Sequence, residues 1–148
     1  MTSDEVLQSR HYLEMQGRGR MGEDYAYGEI SSRLVGTGLT VRLATEDHYK
    51  APFDIEILKG DKVLVGIENK DLVSTSKGTQ IRGCQKHRKL RYAREHGIRL
   101  ILTTVTRRDI HAIGFKEGLV NGHPLVFDYN LDRLVGRILT VSMEDRTA

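Results

Sequence analysis

The segment from Pro52 to Lys70, PFDIEILKGDKVLVGIENK, constrains the fold more than any other part of the chain. Two apolar runs, one of them alternating with acidic residues, flank the turn-forming letters KGDK. Alternating apolar runs on either side of a glycine-containing turn predict a β-hairpin. The four charged residues near its open end, two in each strand, then raise the question of what they do there.

The apolar pattern also predicts the register of the hairpin. Opposed residues of an antiparallel pair share a face, so the apolar sets meet only where the paired residue numbers have an even sum. A two-residue loop gives an odd sum and puts Ile55 opposite Gly66. A three-residue loop with glycine in the left-handed conformation gives an even sum and places Ile55 opposite Ile67 or Val65. We therefore expect the three-residue, bulged turn.

This register places the charged residues together. Asp54, Glu56, Glu68 and Lys70 all fall on the face opposite the apolar one. Asp54 and Glu68 could hold one or two Mg²⁺ ions, which prefer oxygen ligands and keep several waters. The backbone carbonyl of Asn69 could add a ligand, and Lys70 could hold an attacking water or a phosphate oxygen. The simpler alternative is that these charges only face water, as we expect for Glu56.

The rest of the chain supplies helices and further strands around this hairpin. We predict an α/β (α+β) fold, a mixed β-sheet flanked by helices. The expected elements are a helix over 3–17 followed by a basic hinge, GRGR; a helix over 22–34; a strand over 39–45; a helix over 79–96 closed by Gly97; a buried strand at IRLILTTV; a short helix at DIHAIGFKEG; and strands at HPLVFDY and RLVGRILTVSM.

Composition narrows the class of protein. A chain of 148 residues is expected to form one domain, and no apolar run approaches the ~20 residues of a membrane span. No signal-peptide pattern is present, and the single cysteine, Cys84, excludes cysteine-rich zinc modules, so we expect an intracellular protein. The six histidines lack zinc-ligand spacing. A net charge of +3 is compatible with a nucleic-acid partner.

The order helix, strand, PFD, IENK, basic helix and apolar strand resembles the PD-(D/E)xK nuclease superfamily, which includes Holliday-junction resolvases and restriction enzymes. The resemblance covers 22–105. It implies a restriction-endonuclease-like core in a single nuclease domain, with 1–20 and 106–148 as extensions. It also implies that Asp54, Glu68 and Lys70 carry the chemistry. Phe53 departs from the signature, because it stands between Pro52 and the aspartate.

The resemblance also implies an acid on the preceding helix. By position this is Glu29, which would assist through the water shell of the metal; Glu23 is the second candidate. On the residues alone, Glu29 is equally well explained as a boundary residue that pairs with Arg33.

The basic helix that follows the hairpin supplies candidate phosphate contacts. Its residues Arg82, Lys86 and Lys89 share one stripe, and Lys77 comes just before it. Such a stripe can hold a nucleic-acid backbone without reading its sequence.

The expected function is that of a Mg²⁺-dependent endonuclease, with Mn²⁺ as a possible substitute, no organic cofactor and no membrane. We expect DNA as the substrate, by junction resolution or site-specific cutting, and a homodimer. The alternative is a non-catalytic nucleic-acid-binding or assembly protein on the same fold.

Overall fold

The computed structural model describes residues 22–44, 53–72, 83–106, 112–117 and 127–145. The predicted N-terminal helix and the GRGR hinge lie outside these ranges. The described elements are α1 (22–33), β1 (Leu39–Leu43), β2 (Ile55–Lys59), β3 (Lys62–Leu72), α2 (Gly83–His96), β4 (Arg99–Thr106), β5 (Ala112–Glu117) and α3 (Leu131–Glu144).

The five strands form one sheet in the order β1-β2-β3-β4-β5. Each neighbouring pair is antiparallel except β3 and β4, which run parallel and are joined through α2. A parallel pair needs such a crossover because a tight turn can join only antiparallel strands. The predicted mixed sheet with flanking helices is therefore confirmed.

The hairpin of β2 and β3 has the predicted register but a different turn. Ile55 lies opposite Ile67, an even sum, as the apolar pattern predicts. At the turn, however, Lys59 lies opposite Lys62, so the loop holds two residues and the three-residue prediction is wrong. The register changes because β3 carries one additional residue, Leu64, in a β-bulge. The apolar pairing is thus achieved inside the strand rather than in the loop.

The helices cover both faces of the sheet. Ile101 packs in a core cluster with apolar residues of α1 and α3, whereas Leu100 packs with Ala93 of α2. Because successive residues of a strand point to opposite faces, α2 lies on one side of the sheet and α1 and α3 on the other. Along the described residues, no helix is long and apolar enough to cross a membrane.

The predicted strand at RLVGRILTVSM is wrong, because this segment forms α3. Its buried residues Leu134, Val135, Ile138 and Val141 recur at helical spacing. The side chain of Asn130 accepts a hydrogen bond from the backbone N–H of Arg133 and caps the helix. The aliphatic, β-branched composition suggested a strand, but the spacing and the cap favour a helix.

The predicted short helix at DIHAIGFKEG is also wrong, because 112–117 form β5, which pairs with β4. An added Cβ at Gly114 would lie 2.8 Å from the ring of Tyr129, so this glycine admits a close aromatic neighbour. Of the strand predicted at HPLVFDY, 123–126 lie outside the described residues, and Asp128 forms an isolated bridge with Phe115. The helix predicted over 79–96 is described from Gly83 onward.

Candidate active site

Asp54 lies immediately before β2 and reaches across to β3. Its Oδ2 accepts a hydrogen bond from the backbone N–H of Asn69, with an N–O distance of 2.9 Å. This bond fixes the carboxylate beside the segment Glu68–Lys70. The structure therefore brings Asp54 to the part of β3 where the hairpin register predicts it.

Glu68 is a buried carboxylate, with 5% of the residue exposed. Burial, and after it the negative charge of Asp54, raise its pKa to about 6. The charges of Lys89 and Lys70 act in the opposite direction. Lys89 donates a hydrogen bond to Glu68 Oε1 at 2.6 Å. Glu68 thus carries its charge in an environment that opposes it.

Glu23, on α1, is electrostatically part of the same group. Burial first, and then the charges of Asp54 and Glu68, raise its pKa to about 7, against the opposing charge of Lys70. Lys70 lies two residues beyond Glu68 on the same face of β3 and is half-buried. The charges of three carboxylates and a lysine therefore act on one another at this end of the sheet.

The structure does not bring Glu29 into this group. The charge of Glu29 acts on Tyr25, whose pKa is raised first by burial and then by this carboxylate. Glu23 and Glu29 are six positions apart, which separates them by about 120° around a helix. Glu23 projects close to the direction of Ile30, which packs in the core. On α1 it is therefore Glu23, the second candidate, that faces the other acids.

The side chain of Asn69 is buried and faces away from the acids. Its Oδ1 accepts a hydrogen bond from Thr103 Oγ1 at 2.8 Å. Its Nδ2 is buried without a hydrogen-bond partner among the described residues. The side chain therefore takes no part in the acidic group, and any ligand from Asn69 would be its backbone carbonyl.

Glu56 shares this face of the hairpin, but its negative charge is already balanced by an arginine. It is 5% exposed, so the expectation that it faces water is wrong. Arg42, its partner across β1 and β2, donates to Glu56 Oε1 through Nη2 at 2.7 Å and Nε at 3.1 Å. Glu56 is therefore a structural acid, separate from the group around Glu68.

Phe53 holds the backbone on which Asp54 sits. It is almost fully buried and packs on Gly66, where an added Cβ would lie 2.4 Å from the phenylalanine ring. Its ring also meets Tyr92 of α2 edge-to-face, with centroids 5.8 Å apart. The residue that departs from the PD-(D/E)xK signature is thus an anchor between the hairpin and α2.

Among the predicted phosphate-binding residues, Lys89 is the one whose side chain the structure describes. Its side chain is 18% exposed and its ammonium is bonded to Glu68. It therefore lies within the site and not on an outer basic stripe. Lys77 and Arg82 lie outside the described residues, as does the side chain of Lys86. The sequence does not reveal that Lys89 faces Glu68, because this contact depends on how α2 packs against β3.

The donor set suits Mg²⁺ as a pair of carboxylates and not as a larger cluster. Within the ranges that the structure describes, no three His, Cys, Asp or Glu side chains are grouped closely enough to hold a metal ion. Mg²⁺ is commonly held by one or two carboxylates and several waters. The ammonium of Lys89 against Glu68 shows that this carboxylate accepts a cation. An ion of the kind predicted from the sequence would therefore have Asp54 and Glu68 as its two carboxylate ligands.

No protein-family model matches the sequence, and no curated protein matches it. Among solved structures, the chain is similar to Hjc, a Holliday junction resolvase from the archaeal hyperthermophile Archaeoglobus fulgidus. The two are 19% identical, the match covers 60% of this chain and 71% of that one, and the TM-score is 0.44.

Proposed function

We propose that this protein is a Mg²⁺-dependent endonuclease of the PD-(D/E)xK type that hydrolyses phosphodiester bonds in DNA. One observation carries the proposal: the charges of Glu23, Asp54, Glu68 and Lys70 act on one another at the end of a mixed sheet, and the pKa values of Glu23 and Glu68 are raised to about 7 and about 6. Acids with perturbed pKa values cluster at catalytic sites.

Asp54 and Glu68 would hold the metal ion, with the backbone carbonyl of Asn69 as a further ligand. Mn²⁺ could replace Mg²⁺. The bound ion would lower the pKa of a water and stabilise negative charge on the scissile phosphate. The hydrogen bond from Asn69 N–H restrains Asp54, so this carboxylate is oriented before the ion binds.

Lys70 and Glu23 would act on the reacting groups. Lys70 follows Glu68 on the same face and would orient the water or a phosphate oxygen through its ammonium. Glu23 has a pKa of about 7, so it can bind and release a proton near neutral pH. We propose Glu23, in place of Glu29, as the helix acid.

The DNA backbone would lie against α2. Arg88, Arg91 and Arg94 of this helix are exposed. Arginines on one helix next to the acids would hold phosphates without reading the sequence. Cutting two strands requires two sites, so we propose a homodimer that acts inside the cell on junctions or duplex sites.

Cleavage of supercoiled plasmid, a four-way junction and RNA, each with Mg²⁺ and with EDTA, tests this function. We expect Mg²⁺-dependent cleavage of DNA by the wild type and its loss in Asp54→Ala and Lys70→Ala. Arg42→Gln, which alters a paired residue outside the group, is the control and should retain cleavage. Metal-dependent cleavage that survives both substitutions would disprove the assignment. Binding of DNA without cleavage would favour the non-catalytic alternative.

A further inference from the structure

Lys89 and Glu68 join α2 to β3 through a nearly buried ion pair. Lys89 Nζ lies 2.6 Å from Glu68 Oε1, and the two side chains are 18% and 6% exposed. The pairing opposes the effects of burial and of Asp54 on this carboxylate. The ammonium is therefore a counter-charge for Glu68 that comes from a different element of the fold.

The same carboxylate is the one that the proposed function assigns to the metal. A divalent ion at Glu68 would meet the ammonium as a like charge in a site that is largely shielded from water. The two cations oppose each other there. Lysine has a flexible four-carbon stem, so its ammonium can withdraw without movement of the helix backbone.

We propose that Lys89 is a positioning residue that neutralises Glu68 in the metal-free protein and releases this carboxylate when a divalent cation binds. The proposal rests on the proposed function, because it takes Glu68 to be a metal ligand. It assigns Lys89 to the control of metal affinity and removes it from the phosphate-binding residues.

Titration of the full chain with Mn²⁺ by calorimetry, without DNA, tests this competition. Lys89→Met removes the competing charge, and we expect it to bind Mn²⁺ about tenfold more tightly than the wild type. Lys89→Arg retains the charge and should keep an affinity close to that of the wild type. Arg133→Met is the matched control, because it removes an ion-paired cation from a different helix, α3, and should leave the affinity unchanged.

Thermal unfolding provides a second readout. In EDTA, Lys89→Met should unfold at a lower temperature than the wild type, since Glu68 loses its counter-charge, and Mn²⁺ should raise its midpoint by more. Lys89→Gln keeps a hydrogen-bond donor for Glu68 and serves if the methionine variant does not fold. Restoration of a folded variant by Mn²⁺ supports the proposal.

Two results overturn the inference, and they can be distinguished. If the wild type binds Mn²⁺ in a manner that depends on Asp54 but Lys89→Met and Lys89→Gln bind it with the same affinity, Lys89 is a structural ion pair only. If neither the wild type nor any Lys89 variant binds Mn²⁺, the metal site of the proposed function fails, and the role of Lys89 fails with it.

Discussion

Glu68 on β3 and Glu117 on β5 are two carboxylates of one sheet in opposite electrostatic conditions. Arg137 donates two hydrogen bonds to Glu117, at 2.7 and 3.0 Å, and Arg99 donates a third. These arginines, and the Arg137 hydrogen bond first, lower the pKa of Glu117. Burial and the charge of Asp54 instead raise the pKa of Glu68.

Acids that have a structural role in this fold are paired with arginines, as Glu117 is. Glu56 is a second example, since it shares the hairpin with Glu68 but pairs with Arg42. Around Glu68 the negative charges reinforce one another, and a folded protein tolerates such an arrangement mainly at sites of function. The excess negative charge at this end of the sheet is the physical basis of the proposed cation site.

Replacement of Glu68 or Glu117, one at a time, should give the largest difference in DNA cleavage. We expect Glu68→Gln to reduce Mg²⁺-dependent DNA cleavage about a hundredfold or more, because metal stabilisation of the transition state contributes several kcal/mol. Glu117→Gln should cleave at the wild-type rate. Initial rates on plasmid DNA measure both, and equal losses in the two variants would remove the contrast between them.

Alanine substitutions at two glycines compare the tight packing beside the site with an exposed position of a helix. Gly66→Ala should destabilise the protein by about 2 kcal/mol, because the added methyl meets the ring of Phe53. Gly28→Ala in α1, with no atom within 4 Å of the new Cβ, should stabilise it by about 0.5–1 kcal/mol. Urea unfolding measures both, and a neutral Gly66→Ala would show that Phe53 does not anchor Asp54.

The two acids of α1 test which one belongs to the site. Glu23→Gln should lower the cleavage rate about tenfold, less than the roughly 10²–10⁴-fold of a typical acid–base group, because water can partly perform its task. Glu29→Gln, a change of the same size on the other side of the helix, should leave the rate unchanged. The reverse result would restore Glu29 as the helix acid and contradict the role of Glu23.

Glu23 and Glu117 should affect the pH dependence of the free energy of unfolding in opposite directions. The pKa of Glu23 rises from 4.5 to about 7 on folding, so between these values the folded state binds more protons. The free energy of unfolding therefore falls as the pH rises through this window. Glu117, with a lowered pKa, stabilises above its ordinary pKa, and this contribution is lost as the pH falls.

Urea unfolding at about pH 5 and about pH 7.5 measures this smallest effect, with Glu23→Gln beside the wild type. The variant should lose less stability between the two values. If wild type and variant lose the same amount, the raised pKa of Glu23 is not present in the folded protein.

Much of the site follows from strand periodicity, which the sequence displays directly. The alternation of apolar residues was sufficient to predict that Ile55 lies opposite Ile67, and hence that Asp54 is close to Glu68. The turn was predicted wrongly, because the loop and the bulge at Leu64 give the same pairing farther along the strands. The odd–even pattern of apolar residues therefore determines which residues share a face of the hairpin, but not where the additional residue of the bulge lies.

What could not be predicted depends on how elements meet. The choice between Glu23 and Glu29 requires the angle at which α1 packs on the sheet, and the contact of Lys89 with Glu68 requires the position of α2. The contact of Lys89 has no local signal, whereas the helical spacing of Glu23 and Ile30 did indicate that Glu23 lies toward the buried face of α1. The spacing of Leu134, Ile138 and Val141 did contain a helical signal in α3, but the β-branched composition outweighed it.

The dependence of DNA cleavage on Mg²⁺ concentration, in the wild type and in Asp54→Asn, tests the central claim most directly. The substitution keeps the shape of the side chain and removes one charge from the acidic group. We predict saturable Mg²⁺-dependent cleavage by the wild type and none above background by Asp54→Asn, with both proteins folded by circular dichroism. Cleavage by Asp54→Asn at the wild-type rate and with the same Mg²⁺ dependence would contradict the account.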